Sequence, residues 1–168
     1  MTRIRFALAV LTALALPTSA HAEVLGAHGD WVVTKGTEAG QPLCYMSAEP
    51  QTAKGNYTKR GKVYAIVTHR PAEKSIGVVS FQAGYTLKEG APVTVTIDAK
   101  TTFTLFSQGE FAWTREAGDD QALVNAMRAG SQMVVKGTSA RGTLTTDSYS
   151  LAGFTAALNA INAACGVK

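Results

Sequence analysis

Two cysteines, Cys44 and Cys165, bracket most of this chain, and a bond between them would tie its tail to its first third. Whether they bond depends on the compartment, and the first 22 residues speak to that. Arg3 and Arg5 make a positive start, Phe6 to Leu16 is an apolar run broken only by Thr12, and Pro17 closes it. Ala20-His21-Ala22 then places small residues where a signal peptidase reads. This is the three-part pattern of a cleaved export signal. The apolar run is shorter than the roughly 20 residues of a transmembrane helix, and no later segment reaches that length. We therefore expect residues 1–22 to be a signal peptide and residues 23–168 to be one mature domain in an oxidising space, with an uncleaved anchor as the alternative. No cysteine lies at the cleavage point, which argues against a lipid anchor. In such a space an isolated cysteine pair is most simply one disulfide. Closing so long a loop would constrain the unfolded chain by about 4–5 kcal/mol. A redox-active pair would usually show Cys-x-x-Cys spacing, which is absent.

Without its leader the chain has 146 residues, one domain's worth, enough to bury about two-thirds of its surface. The formal charge falls from +4 to +2 because Arg3 and Arg5 leave. Much of the basicity is thus targeting, and a nucleic-acid footprint is not expected. The body reads as short strands between turn residues. Val93, Val95 and Ile97 alternate with Thr94, Thr96 and Asp98, the period of a strand with one wet face. Val63 to Arg70 and Ile76 to Tyr85 are β-branched and aromatic, split by a turn at Pro71. Further strands are expected at Trp31 to Thr34, Leu43 to Ser47, Phe103 to Phe106, Phe111 to Thr114 and Met133 to Gly137, with a weaker one at Thr143 to Thr146. Their number and spacing predict a mainly β sandwich or barrel. Two stretches read as helix. Asp119 or Asp120 can cap a short one whose Ala122, Leu123, Ala126 and Met127 share a face, with Gly130 as its stop. Leu151, Phe154, Leu158, Ile161 and Cys165 recur at steps of three and four, so the C-terminal helix lies face-down on the sheet. Cys165 on that stripe would staple it to the strand of Cys44, and Gly166 would cap it.

Chemistry is sparse. No catalytic residue, metal ligand set or cofactor is expected. His69 on its strand reads as a satisfied side chain before it reads as a general base, and no Gly-x-Ser-x-Gly elbow accompanies it. Glu116, Asp119 and Asp120 are explained by capping and the helix dipole without any substrate. Between Lys54 and Lys74 stand Lys54, Lys59, Arg60, Lys62, Arg70 and Lys74 against one acid, Glu73, with Tyr57 and Tyr64 interleaved. The sober reading is a solvated hairpin edge whose lysines discourage aggregation. The functional one is a basic face, Lys59, Arg60, Lys62 and Arg70 with Arg141, for an anionic envelope component or a host-surface molecule. Arg141 has its own plain alternative, a buried-edge arginine holding Asp147 or Asp98.

Several strings, in order, resemble one family. They are Gly29-Asp30-Trp31, Cys44-Tyr45, Val67-Thr68-His69-Arg70-Pro71, Ala83-Gly84-Tyr85, Val95-Thr96-Ile97-Asp98, Phe103-Thr104-Leu105-Phe106 and Leu123-Val124-Asn125-Ala126-Met127-Arg128. The most specific close the chain: Gly137-Thr138-Ser139-Ala140-Arg141-Gly142-Thr143, Tyr149-Ser150-Leu151-Ala152-Gly153-Phe154 and Ala164-Cys165. Together they resemble the invasion-associated locus B (IalB) proteins exported by alphaproteobacteria, from about Gly29 to Cys165. The resemblance implies an immunoglobulin-like β-sandwich, placement in the periplasm, at the outer membrane or outside the cell, and no catalytic residues. In pathogenic members it implies a part in entry into host cells, red cells in particular, although non-pathogens carry such proteins too. Some members have a further cysteine just after the opening Trp. Here Val32, Val33 and Thr34 follow Trp31, which leaves a single bridge.

Overall fold

The computed structural model describes residues 22–167, so the expected signal peptide lies, but for Ala22, outside the described residues. Eleven strands follow one another: β1 (Glu23–His28), β2 (Trp31–Glu38), β3 (Gln41–Ala48), β4 (Thr52–Gly55), β5 (Tyr64–Arg70), β6 (Ser75–Gln82), β7 (Val93–Ile97), β8 (Thr101–Gln108), β9 (Phe111–Trp113), β10 (Gln132–Thr138) and β11 (Leu144–Ser150). Helix α1 (Ala117–Ala129) separates β9 from β10, and α2 (Phe154–Cys165) ends the fold. The strands are antiparallel neighbours in the order β1-β2-β3-β5-β6-β9-β8-β7-β10-β11-β4. The ladder folds into two layers at β8, whose Thr101–Leu105 pair with β7 while Phe106–Gln108 pair with β9. The result is the expected mainly β sandwich, with a short helix, a C-terminal helix on the sheet and one disulfide.

Alternation explains the layers. Cys44, Met46 and Ala48 on β3, Ala65 and Val67 on β5, and Val79 and Phe81 on β6 point one way. Val93, Val95 and Ile97 on β7 and Met133 and Val135 on β10 join them in one continuous core. Helix α2 lies against β2 and β3. Its Phe154, Leu158 and Ile161 are buried, each adding about 1.5–3 kcal/mol over exposure, and Gly166 caps it in the left-handed region. The bridge Cys44–Cys165 forms as expected, with its Cα atoms 6.0 Å apart. Beside it the buried His69 spans three elements. Its Nδ1 accepts the Gly77 N–H at 2.9 Å, so the neutral ring with hydrogen on Nε2 donates to Asn162 Oδ1 of α2 at 2.7 Å. A histidine so occupied is a cross-brace between the sheet and the helix.

The two ends of the chain meet nearby. Trp31 sets its ring edge-on to Phe154, with centroids 4.9 Å apart, and its Nε1–H donates to Ser150 O at 3.1 Å. The β1–β2 turn passes so close to the start of α2 that a Cβ on Gly29 would meet Ala152 O and one on Gly153 would meet His28 O. Both glycines also hold positive φ, so no other residue suits either place. The Gly29-Asp30-Trp31 string and the Tyr149-Ser150-Leu151-Ala152-Gly153-Phe154 string are therefore one packed junction.

Three details differ from expectation. Strands β1 and β4 had no signal in the sequence, being exposed edge strands with little periodic apolar content. Helix α1 begins at Ala117 with Glu116 at its N-cap, where no side chain caps it. Ala122 is exposed, and Val124 takes its place on the buried face. Asp120 does not cap the helix. It is turned inward, where its Oδ1 accepts the Val79 N–H at 2.8 Å, on the stretch of β6 that β9 leaves uncovered. Burial raises its carboxyl above the ordinary aspartate range against the pull of that bond and of Thr114, with Asp119 adding to the rise. The folded state thus holds this proton more readily than the unfolded chain. The group's contribution to stability is fullest below the ordinary Asp pKa and is lost as pH rises through the raised value. Asp120→Asn, whose amide oxygen still accepts from Val79, should flatten that slope in urea unfolding between pH 4 and 7. An unchanged slope would show that Asp120 is not its source.

Candidate functional site

A cavity of about 700 Å³ with many polar lining residues lies between the segment after β4, the Gly84–Thr86 stretch after β6 and the β10–β11 turn. Its shape depends on Arg60, which is not the surface cation expected. The Arg60 side chain is 5% exposed and grips Asp147 of β11, equally buried, in a two-pronged pair at 2.6 and 2.7 Å. Its Nε–H donates to Ala83 O at 2.7 Å. The guanidinium also lies over the rings of Tyr85, 5.0 Å from its centroid, and Tyr57, at 5.6 Å. Burial works against the Arg60 charge, yet the bonds and charge of Asp147 outweigh it and hold the guanidinium's pKa above its ordinary value. This arginine rivets an otherwise exposed loop to the sheet; a fork-shaped donor suits that where a lysine would not.

Around the rivet the polar groups are already placed. Tyr85 shares a 2.6 Å hydrogen bond with Thr145, and burial raises its phenol, so the hydroxyl keeps its proton. Tyr149, inward on β11 beside Asp147, is pushed up still further by burial. Another wall is the turn Ser139–Thr143. Gly142 N–H donates to Ser139 O at 2.8 Å, Thr143 N–H to Ser139 Oγ at 3.1 Å, and Ala140 N–H reaches across to Thr86 O at 2.8 Å. Arg141 stands exposed at the tip. Neither carboxylate considered for it is available, since Asp147 is taken by Arg60 and Asp98 accepts the amides of Ser131 and Gln132. Lys59, also exposed, lines the same cavity. Among the described residues, neither Lys59 nor Arg141 is in an ion pair. Glu110 is the one acid lining the cavity.

The other basic candidates lie elsewhere. Lys62 is 3.6 Å from Glu49 with both side chains exposed, a contact worth little. Arg70 donates to Glu38 at 2.6 Å on the far stretch of the sheet and lowers that carboxyl's pKa through hydrogen bond and charge. The single basic face is therefore divided: the fold brings together Lys59, Arg60 and Arg141 and separates Lys62 and Arg70. Of the two tyrosines interleaved with the basic stretch, Tyr57 lines the cavity and Tyr64 does not; Tyr85, Glu110 and Thr145 were not foreseen at a site. Asp147 carried a usable signal, a lone carboxylate at the inward register of β11 between Thr145 and Tyr149, which burial obliges to find a cation or hydrogen-bond donors. Among the described residues, no group of three or more His, Cys, Asp or Glu side chains is placed to hold a metal ion.

The family model described as invasion associated locus B (IalB) protein matches residues 31–162. Among solved structures, invasion associated protein B from Bartonella henselae is similar over 83% of this chain and 96% of its own, at 20% identity and a TM-score of 0.57. At that identity the likeness speaks for the fold alone. No curated protein matches the chain.

Proposed function

The chain belongs to the invasion associated locus B family, and from that footing we propose an exported, non-enzymatic protein of the cell envelope that acts by binding an anionic partner. The observation that carries this reading is the cavity, where Lys59 and Arg141 both line the wall, exposed and, among the described residues, outside any ion pair, around a loop held to the sheet by Arg60 and Asp147. Side chains that an enzyme would use are otherwise employed: His69 between Gly77 and Asn162, and Asp120 on the Val79 amide. The partner is an anionic envelope component or a host-surface molecule, and the family's name points to host contact as one setting. No described helix is long and apolar enough to cross a membrane, so retention would rest on such contacts.

Cell fractionation tests this. The protein is expected in the envelope fraction with Glu23 as its first residue, and to wash off as salt rises, because exposed charges are screened. Lys59→Ala with Arg141→Ala should release it at lower salt. Detection of residues 1–22 on the retained protein, or retention unchanged in the double variant, would overturn the export or the binding half respectively.

A further inference from the structure

We propose that the cavity takes an acidic sugar, a hydroxyl-rich ring carrying an anionic group, set between Lys59 and Arg141. The inference rests on the anion-binding reading above and adds the class of ligand. Ligand cavities are mostly lined by apolar side chains. Here the only aliphatic one is Ala140. The rest are hydroxyls, an amide, charges, backbone and two tyrosines. A lipid phosphate would bring acyl chains with nothing to cover them: exposed Leu144 alternates to the face of β11 opposite Thr145, away from the cavity.

The division of labour among the cations points the same way. Three of the five Arg60 N–H groups are committed to Ala83 and Asp147, and its charge is matched by that carboxylate. The ligand's anion therefore falls to Lys59 and Arg141 on the lining, which outnumber Glu110. Two cations suit one acidic group per ring; a dense polyphosphate would leave charge unmet. Thr58 and Thr86, both exposed on the lining, offer hydroxyls that donate and accept, and Glu110 accepts from ring hydroxyls without competing for the anion. A polyol bearing one charge matches this mixture.

The test uses the mature protein with its disulfide intact, and calorimetry with four probes: oligogalacturonate, a hyaluronan oligosaccharide, a neutral malto-oligosaccharide, and phosphatidylglycerol vesicles. Binding is expected to at least one acidic sugar, about tenfold or more tighter than to the neutral one, which is about 1.4 kcal/mol. Lys59→Ala and Arg141→Ala should each weaken it several-fold and reduce its salt dependence. Thr58→Ala with Thr86→Ala should weaken it while leaving the salt dependence as it was. Binding to the vesicles alone, lost in the two cation variants, would keep the anion site and overturn the sugar. Binding to an acidic sugar that ignores both cation variants, or to no anionic probe, would overturn the site itself.

Discussion

Replacing Cys44 and Cys165 together with alanine is expected to lower the unfolding free energy of the mature domain by about 4–5 kcal/mol. The bridge closes a loop between residues 121 positions apart, so its removal frees nearly the whole unfolded chain. For a domain of this size that corresponds to a fall in Tm of roughly 10–20 °C. The native fold should survive at low temperature, because Phe154, Leu158 and Ile161 still bury α2 and His69 still reaches Asn162. Thermal melts by circular dichroism on the oxidised and alanine forms measure it. A loss below about 1 kcal/mol would mean the unfolded chain is already compact without the bridge.

The second large effect belongs to Arg60. Arg60→Ala strands Asp147, whose side chain is 5% exposed, and breaking a buried pair from one side costs about 3–5 kcal/mol. It also removes the platform between Tyr57 and Tyr85, so the loop lip of the cavity should loosen. Arg60→Met combined with Asp147→Leu should regain most of the stability, since neither charge is then left buried. Urea unfolding of the two single variants and the double variant closes the cycle. Additive losses would show that the two residues do not act as a pair. The contrast with Lys59 matters: its neighbour Arg60 holds the fold, while Lys59→Ala should leave stability within about 0.5 kcal/mol.

What could be read from the sequence depended on how local its physical cause was. The stripe Leu151, Phe154, Leu158, Ile161, Cys165 fixes a helix face within a few turns, and the alternation at Val93 to Ile97 fixes a strand face within five residues. The strand face stands as expected, and so does the helix face from Phe154 onward; Leu151 is buried but precedes the helix, whose N-cap is Gly153. The cysteine pairing was legible because only two cysteines compete. Strands β1 and β4 were not, since an exposed edge strand is held by its neighbour's backbone and leaves little pattern in its own side chains. Asp120 looked like a cap because helix starts favour aspartate, and the orphan amide of Val79 lies 41 positions away. Arg60 is the clearest case. Five other cations in its stretch made it look like part of a wet surface, and nothing within that stretch announces a carboxylate 87 positions downstream. The site was half visible: Lys59 and Arg141 were singled out separately, but only the fold sets them on the lining of one cavity.

The junction of Trp31 with Ser150 and Phe154 has a consequence for timing. A chain made or threaded from its N-terminus presents Trp31 first and waits for nearly everything else before the ring finds its cover. Gly29 waits likewise for Ala152, and Cys44 for a thiol in the last turn of α2. Contacts so distant along the chain make folding slow and late. Until its final residues have emerged, this polypeptide has no closed core to lock, a delay that suits the export proposed above.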